Sequence, residues 1–278
     1  MTTVLRKRLA ALATALLMGS ISAFATEPFG WQPFHSIDHP TVPSQVENPA
    51  TPPKTIITPE ERADIFMARK SYADAVDYYQ RALKQPGIAS RDAATIWNKL
   101  GIAYQQEDNY NGATRAYKEA IHRRGDFAEP WNNLGTNFFM ENKFKKSIKY
   151  YLHALNLSPE NASFHLNLGT GYYRLKKYKE AVDEYSRALT LNPNILTEHS
   201  PLGTVMQTRG ADSKFYFYVA KSFAMVGRAD EAVRYLRRAF EDGFKDQKLL
   251  AEDPDFRKIS QYPDYVELIK NPPVAIRD

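Results

Sequence analysis

Residues 97–104 read WNKLGIAY, and similar stretches return at residues 131–138 (WNNLGTNF) and residues 165–172 (HLNLGTGY). Each copy begins 34 residues after the previous one. Self-similarity at a fixed period of this length is the sequence signature of an array of stacked structural units. We therefore expect a repeat architecture built from one supersecondary unit.

A second pattern follows the first within each unit: a small residue, a tyrosine four positions later, and an alanine three positions after that. Its copies are Ala113-Tyr117-Ala120, Ser147-Tyr151-Ala154 and Ala181-Tyr185-Ala188. Apolar spacings of three and four residues give each segment one helical stripe, so each unit is predicted to be a helix hairpin. Gly101, Gly135 and Gly169 are expected where the paired helices approach closely, and the hairpins must stack to bury their second apolar face.

These spacings resemble the tetratricopeptide repeat family. The resemblance implies an all-α fold, a right-handed α-solenoid of about five helix hairpins with a C-terminal helical cap. Units 1–4 are assigned to residues 58–193, and a fifth, similar unit to residues 213–243. At the start of unit 1, Thr58-Pro59-Glu60-Glu61 predicts an N-cap, a first-turn proline and a capping-box glutamate.

Residues 194–212 interrupt the register of the repeat. Pro201, Gly203 and Gly210 disfavour a continuous helix, so this segment is predicted to be an insertion loop. Residues 244–278 are predicted to form short capping helices and a tail. We expect them to cover the apolar face of the last unit, because terminal repeats need a polar outer surface.

Residues 1–25 have the order of a bacterial-type secretory signal peptide. Basic residues 6–8 precede an apolar run over residues 9–18, and the small-residue triplet Ala23-Phe24-Ala25 follows. The apolar run is about half of the roughly twenty residues that span a bilayer, so a retained anchor is the minor alternative. We predict an exported protein, periplasmic or secreted, with no membrane span after cleavage.

Residues 26–57 are predicted to be a Pro-rich extended linker. The segment contains seven prolines, which fix φ and remove backbone donors. Phe29, Trp31 and Phe34 stand out in it, and we expect them to dock on the solenoid or on a partner, because large aromatics rarely stay solvated.

The sequence offers little to catalysis. It has no cysteine and none of the common hydrolase, nucleotide-binding or zinc-protease motifs. His35 and His39 have a helical ligand spacing, but the prolines around them disfavour the helix, so we predict no metal site and no cofactor. The net charge of +5 falls to +2 once residues 1–25, with three basic and no acidic residues, are removed. We therefore predict a protein that is not an enzyme and does not bind nucleic acid.

In tetratricopeptide repeat proteins, ligands usually lie along the concave face made by the first helices of successive hairpins. The resemblance places amides, hydroxyls, aromatics and two lysines of this sequence on that face. The predicted partner-binding groove consists of Asn98, Gln105, Asn132, Thr136, Phe139, Thr170, Tyr173, Lys214 and Lys221. Phe139 and Tyr173 are expected to be exposed anchors, and the lysines to attract negative charge. We expect a protein or an extended peptide as the ligand; a merely solvated groove is the alternative.

The turns between paired helices are unusually basic for this family. They contain Lys143, Lys145, Lys146, Lys177, Lys179 and Arg228. Because equivalent positions of stacked repeats align, these residues are expected along one edge, as a solvated face or a basic ridge. The leading hypothesis is an exported, non-catalytic scaffold that binds a protein or peptide, as an envelope assembly factor. The alternative is an envelope structural protein that binds an anionic polymer through the basic ridge.

We predict that the mature protein begins at Thr26, because the small residues Ala23 and Ala25 suit the signal peptidase. N-terminal sequencing of the protein from the cell envelope checks this, with Ala25→Arg as a variant expected to retain residues 1–25. Retention of those residues in the unaltered protein would refute both cleavage and the soluble exported form.

Overall fold

The structure, a computed structural model, describes residues 57–196 and 212–276. Three predicted segments lie wholly or largely outside the described residues: the signal peptide 1–25, the linker 26–57 and the insertion 194–212. Within the described part the chain forms thirteen α-helices and no strand. The predicted all-α fold is confirmed.

The first ten helices form five consecutive hairpins. The pairs are α1 (Pro59–Ala68) and α2 (Tyr72–Leu83), α3 (Ser90–Gln106) and α4 (Tyr110–Arg123), α5 (Ala128–Met140) and α6 (Phe144–Leu157), α7 (Ala162–Arg174) and α8 (Tyr178–Leu191), and α9 (Ser213–Met225) and α10 (Ala229–Glu241). The second helix of each hairpin also packs on the first helix of the next. This confirms the predicted α-solenoid of stacked hairpins.

Helix α1 begins with the predicted capping box. Thr58 Oγ1 accepts a hydrogen bond from the Glu61 N–H at 3.2 Å, and the Glu61 carboxylate accepts one from the Thr58 N–H at 2.9 Å. Pro59 stands in the first turn, where its missing N–H has no intrahelical partner to lose. Helix α1 therefore begins at the residue that the sequence indicates.

Every hairpin turn contains three residues, and its middle residue has a left-handed backbone. These residues are Lys70, Asp108, Asn142, Lys176 and Gly227, with φ between 56° and 79°. The next residue donates its N–H to a carbonyl five positions earlier, as Lys143 does to Phe138 at 2.8 Å. Left-handed backbone costs a non-glycine residue about 1–2 kcal/mol. Its recurrence shows that closing the first helix with this hydrogen bond is a fixed part of the repeat.

In three hairpins a glycine of the first helix lies directly against a tyrosine ring of the second. The pairs are Gly101 and Tyr117, Gly135 and Tyr151, and Gly169 and Tyr185. A Cβ atom added to Gly135 would lie 2.6 Å from the ring of Tyr151, which is fully buried. Real Cβ atoms essentially never come this close to another heavy atom, so only glycine allows the two helices their present separation.

The last hairpin is covered by α11 (Gln247–Glu252), α12 (Pro254–Arg257) and α13 (Pro263–Lys270). Phe256 packs against Phe217 of α9 with ring centroids 5.4 Å apart, and Leu268 is buried in the same apolar cluster. The predicted C-terminal helical cap is thereby confirmed, because these helices remove the open apolar face of the fifth hairpin from water.

No helix in the two described segments has both the length and the apolar character required to cross a bilayer.

Replacing Gly135 with leucine should destabilise the protein. The new side chain has to enter the contact with Tyr151, and overpacking typically costs about 1–3 kcal/mol. Thermal and urea unfolding of the mature protein measure the loss. Gly125→Leu is the matched control, because the nearest atom to its added Cβ would be 3.9 Å away. Equal unfolding midpoints for the two variants would contradict the assigned helix contact.

Candidate functional site

Most of the predicted groove residues lie inside the solenoid. The buried ones are Asn98, Gln105, Asn132, Thr136, Phe139, Thr170 and Tyr173, whereas Lys221 is half-buried and Lys214 is exposed. Their use by a partner stays a prediction. The described contacts, however, give eight of the nine a structural role.

The amides form a ladder that crosses from one hairpin to the next. The Asn133 amide donates to Asn98 at 3.0 Å, and the Asn167 amide donates to Asn132 at 2.9 Å. A longer bond of 3.4 Å joins Asn132 to Asn133. A buried amide without a partner costs free energy, so these bonds hold α3, α5 and α7 in register. The asparagines of the predicted groove are therefore part of the packing between hairpins.

The predicted groove hydroxyls and the glutamine are acceptors for the buried tyrosines. Tyr117 donates to Gln105 at 2.7 Å, and Tyr151 donates to Thr136 at 3.3 Å. The contact of Tyr185 with Thr170 has the same form at 3.4 Å. Burial raises the pKa of the Tyr117 hydroxyl far above its usual value, so the phenol remains a donor at any physiological pH. These side chains complete the glycine–tyrosine contact of each hairpin.

Phe139 and Tyr173 are not exposed aromatics, and that expectation is wrong. The Phe139 ring meets Phe144 of the next helix edge-on, with centroids 5.2 Å apart. The Tyr173 hydroxyl donates to the Asp212 carboxylate, and its ring lies 5.4 Å from that of Phe215. Helical periodicity identified the face that carries the two rings, but it does not show what a neighbouring helix places over them.

Lys221 is engaged by the cap. Its ammonium pairs with the Asp253 carboxylate and lies 3.4 Å from that of Asp255. Burial alone raises the pKa of the Asp255 carboxyl, but Lys258 and Lys221 outweigh it and hold that pKa below its usual value. Lys214 forms no salt bridge with any described residue. Of the two lysines predicted to attract negative charge, Lys221 is therefore neutralised by the cap, whereas Lys214 has no carboxylate partner among the described residues.

Three of the six residues in the predicted basic ridge form salt bridges with nearby glutamates. Lys143 lies 2.7 Å from Glu141, Lys177 lies 3.5 Å from Glu180, and Arg228 pairs with Glu231. In the described part of the chain, the other three members have no carboxylate partner: Lys145, Lys146 and Lys179.

A cavity that the repeat pattern does not predict lies between α5 and α6. This cavity, the Trp131 pocket, has a volume of about 520 Å³ and is lined by Trp131, Lys145, Lys146, Lys149, Tyr150 and His153. A larger cavity of about 730 Å³, the Trp97 pocket, has Trp97, Leu83 and Arg115 in its wall. The signal was present in residues 144–157, which hold three lysines and no carboxylate.

Family comparison agrees with the geometry of the repeat. Tetratricopeptide repeat profiles match residues 94–126 and 162–195, and a TPR repeat profile matches residues 135–176. The chain is a tetratricopeptide repeat protein. Among solved structures, a crystal structure of MamA is 20% identical, with 69% of this chain and 97% of that chain covered and a TM-score of 0.45.

Two further solved tetratricopeptide repeat structures are similar. One is the Arabidopsis OM64 TPR domain, at 25% identity over 43% of this chain and 95% of that chain, with a TM-score of 0.38. The other is YrrB, described as a TPR protein with an unusual peptide-binding site, at 16% identity, 69% and 89% coverage, and a TM-score of 0.44. These likenesses are distant and identify no partner for this chain. No curated protein matches the sequence.

The three matched tetratricopeptide repeat units differ at the position of the pocket tryptophan. Trp97 and Trp131 occupy it in the first two matched units, and His165 occupies it in the third. His165 Nδ1 lies 2.6 Å from the Glu184 carboxylate, and its Nε2 lies 2.9 Å from the Pro159 carbonyl. Glu184 of the same hairpin and the Pro159 carbonyl just before that hairpin therefore fix the orientation of His165. No group of three or more His, Cys, Asp or Glu in the described segments could hold a metal ion.

Lys221→Met should loosen the cap. The substitution leaves Asp253, whose side chain is 5% exposed, without its cation, which we expect to cost about 2 kcal/mol, between the values for exposed and buried pairs. Urea unfolding measures the loss, and hydrogen exchange should rise first in α11, α12 and α13. Lys214→Met, seven residues earlier on the same helix, is the control. An equal response in both variants would mean that Lys221 does not anchor the cap.

Proposed function

We propose that this protein is an exported, non-catalytic scaffold that binds a protein partner, as an envelope assembly factor. The family match supports binding, because tetratricopeptide repeat proteins are generally non-catalytic scaffolds. The pattern of residues 1–25 supports export. Both parts of the proposal are tested separately.

The observation that favours a protein partner is the pair of pockets at equivalent positions of consecutive repeats. The Trp97 and Trp131 pockets each have a partly exposed indole in the wall. Concave sites with a large aromatic side chain and nearby polar groups are typical of binding hot spots. We name the surface that contains both pockets the pocket face, and we assign the partner to it.

The predicted groove supports the proposal less well. Its amides, hydroxyls and aromatic rings are occupied by contacts within the solenoid. A partner that used them would first have to break buried hydrogen bonds. The pocket face requires no such rearrangement.

The alternative function is an envelope structural protein that binds an anionic polymer. Its support is that Lys145, Lys146 and Lys179 have no carboxylate partner among the described residues. Against it, the ridge is interrupted by the salt bridges of Lys143 and Lys177, which supply their own counter-ions. Polymer binding would decline steeply with salt, because it depends on exposed charges.

Site-specific photocrosslinking in the cell envelope distinguishes these proposals. A photoreactive phenylalanine at Lys118 or Leu152 samples the pocket face, and one at Thr95 or Met140 samples the predicted groove. All four side chains are at least partly exposed. We expect one protein, identified by mass spectrometry, to crosslink from the first two positions only.

Crosslinks from Thr95 and Met140 alone would move the partner to the predicted groove and keep the scaffold function. Absence of a protein adduct from all four positions, together with salt-sensitive retention on an anionic polysaccharide, would replace the scaffold proposal with the polymer alternative.

A further inference from the structure

Helix α6 has a concentration of positive charge that no described carboxylate neutralises, although the Lys146 ammonium lies over the Phe138 ring, 3.9 Å from its centre. Lys145, Lys146 and Lys149 belong to a helix with no carboxylate, and none of the three forms a salt bridge with a described residue. Lys145 and Lys146 also stand in the first turn, where the helix dipole disfavours cations. Local choices that oppose the preferences of the fold are expected at functional positions.

Aromatic rings lie directly beside these lysines. The rings of Trp131 and His153 have centroids 3.7 Å apart, and Tyr150 lies 6.1 Å from Trp131. The indole N–H donates to the Gly125 carbonyl at 3.1 Å, so the orientation of the ring is fixed. The Trp131 pocket therefore combines a preformed aromatic wall with ammonium groups that lack counter-ions.

The repeat framework does not require lysine at two of these three positions; only Lys145 has a lysine, Lys179, as its equivalent. One period later, the equivalents of Lys146, Lys149 and Tyr150 are Glu180, Asp183 and Glu184. In that unit Glu184 reaches His165, the equivalent of Trp131, and no basic aromatic pocket remains. The repeat thus tolerates either sign of charge at the positions of Lys146 and Lys149, and α6 has lysine at both.

This reversal of charge limits how far an anionic ligand can extend from the Trp131 pocket toward α8. A long polyanion that ran from the Trp131 pocket to the next repeat would meet the carboxylates of α8 and be repelled. A short acidic segment confined to one repeat would not. Lysines suit carboxylates as point charges, and the aromatic wall suits an apolar or aromatic side chain next to them.

We propose that the Trp131 pocket binds a short acidic segment of the partner protein, with carboxylates at Lys145, Lys146 and Lys149 and an aromatic side chain against Trp131. The inference rests on the proposed scaffold function and names the chemistry of its partner. It assigns recognition to the second helix of the hairpin rather than to the first-helix groove.

Selection of displayed random 12-residue peptides on the mature protein tests the proposal. The probe for affinity is then one selected peptide, labelled with a fluorophore and titrated by anisotropy. We expect enrichment of Asp and Glu next to an aromatic residue. The variant Lys145→Gln, Lys146→Gln and Lys149→Gln should bind the probe about tenfold more weakly or worse, because three interfacial charges are lost. The probe with amides in place of carboxylates should bind as weakly.

The matched control replaces three exposed lysines elsewhere that form no salt bridge in the described part: Lys176, Lys245 and Lys270. This variant has the same loss of net charge and should retain the affinity. ¹⁵N-labelled indole signals, with Trp131→Phe for assignment, should show that the probe shifts Trp131.

Peptides without acidic enrichment, or equal affinity for the pocket and control variants, would overturn the inference. Crosslinking of a partner at Lys118 or Leu152 would in that case leave the scaffold function in place. Binding of an anionic polysaccharide that shifts Trp131, with no binding of acidic peptides, would assign the pocket to a polymer.

Discussion

The contact between a glycine of the first helix and a buried tyrosine of the second sets the geometry of the central hairpins. With a Cβ at Gly135 the helices would have to separate, because the Tyr151 ring occupies that space. The tyrosine hydroxyl then needs an acceptor, and Thr136 on the first helix provides it. The steric requirement for glycine at position 135 thus leads to the requirement for a polar residue at the next position, Thr136. Repetition of this unit every 34 residues, from Gly101 to Gly135 to Gly169, produces the solenoid.

The sequence predicted the hairpins, the capping box and the cap, because each depends on local spacing or on the need to cover an apolar end. It did not predict that most of the groove residues on the first helices are buried by contacts within the solenoid. Asn132 receives its hydrogen bond from Asn167, 35 residues away, and Lys221 pairs with Asp253, 32 residues away. Periodicity tells which residues share a helix face, but it does not give the opposing side chain on a neighbouring helix.

Charge follows a different rule from packing in this array. The glycine and tyrosine positions are held constant, whereas the outward positions change sign between α6 and α8, where Lys149 is succeeded by Asp183. Outward residues make few contacts within the solenoid, so their identity is free to follow the requirements of a ligand. A single repeat can therefore be specialised while its neighbours keep only the scaffold.

The asparagine ladder has a mechanical consequence. Because Asn98, Asn133, Asn132 and Asn167 join three successive first helices through buried bonds, no one of those hairpins can rotate alone without breaking a bond shared with the next. The first hairpin packs on α3 through a buried apolar cluster, to which partly exposed ion pairs of Lys99 with Glu60 and Asp64 are added. Ions in solution weaken such pairs but not the interior amides. The ion pairs at the amino-terminal joint should therefore weaken as ionic strength rises, whereas the asparagine ladder should keep its stiffness.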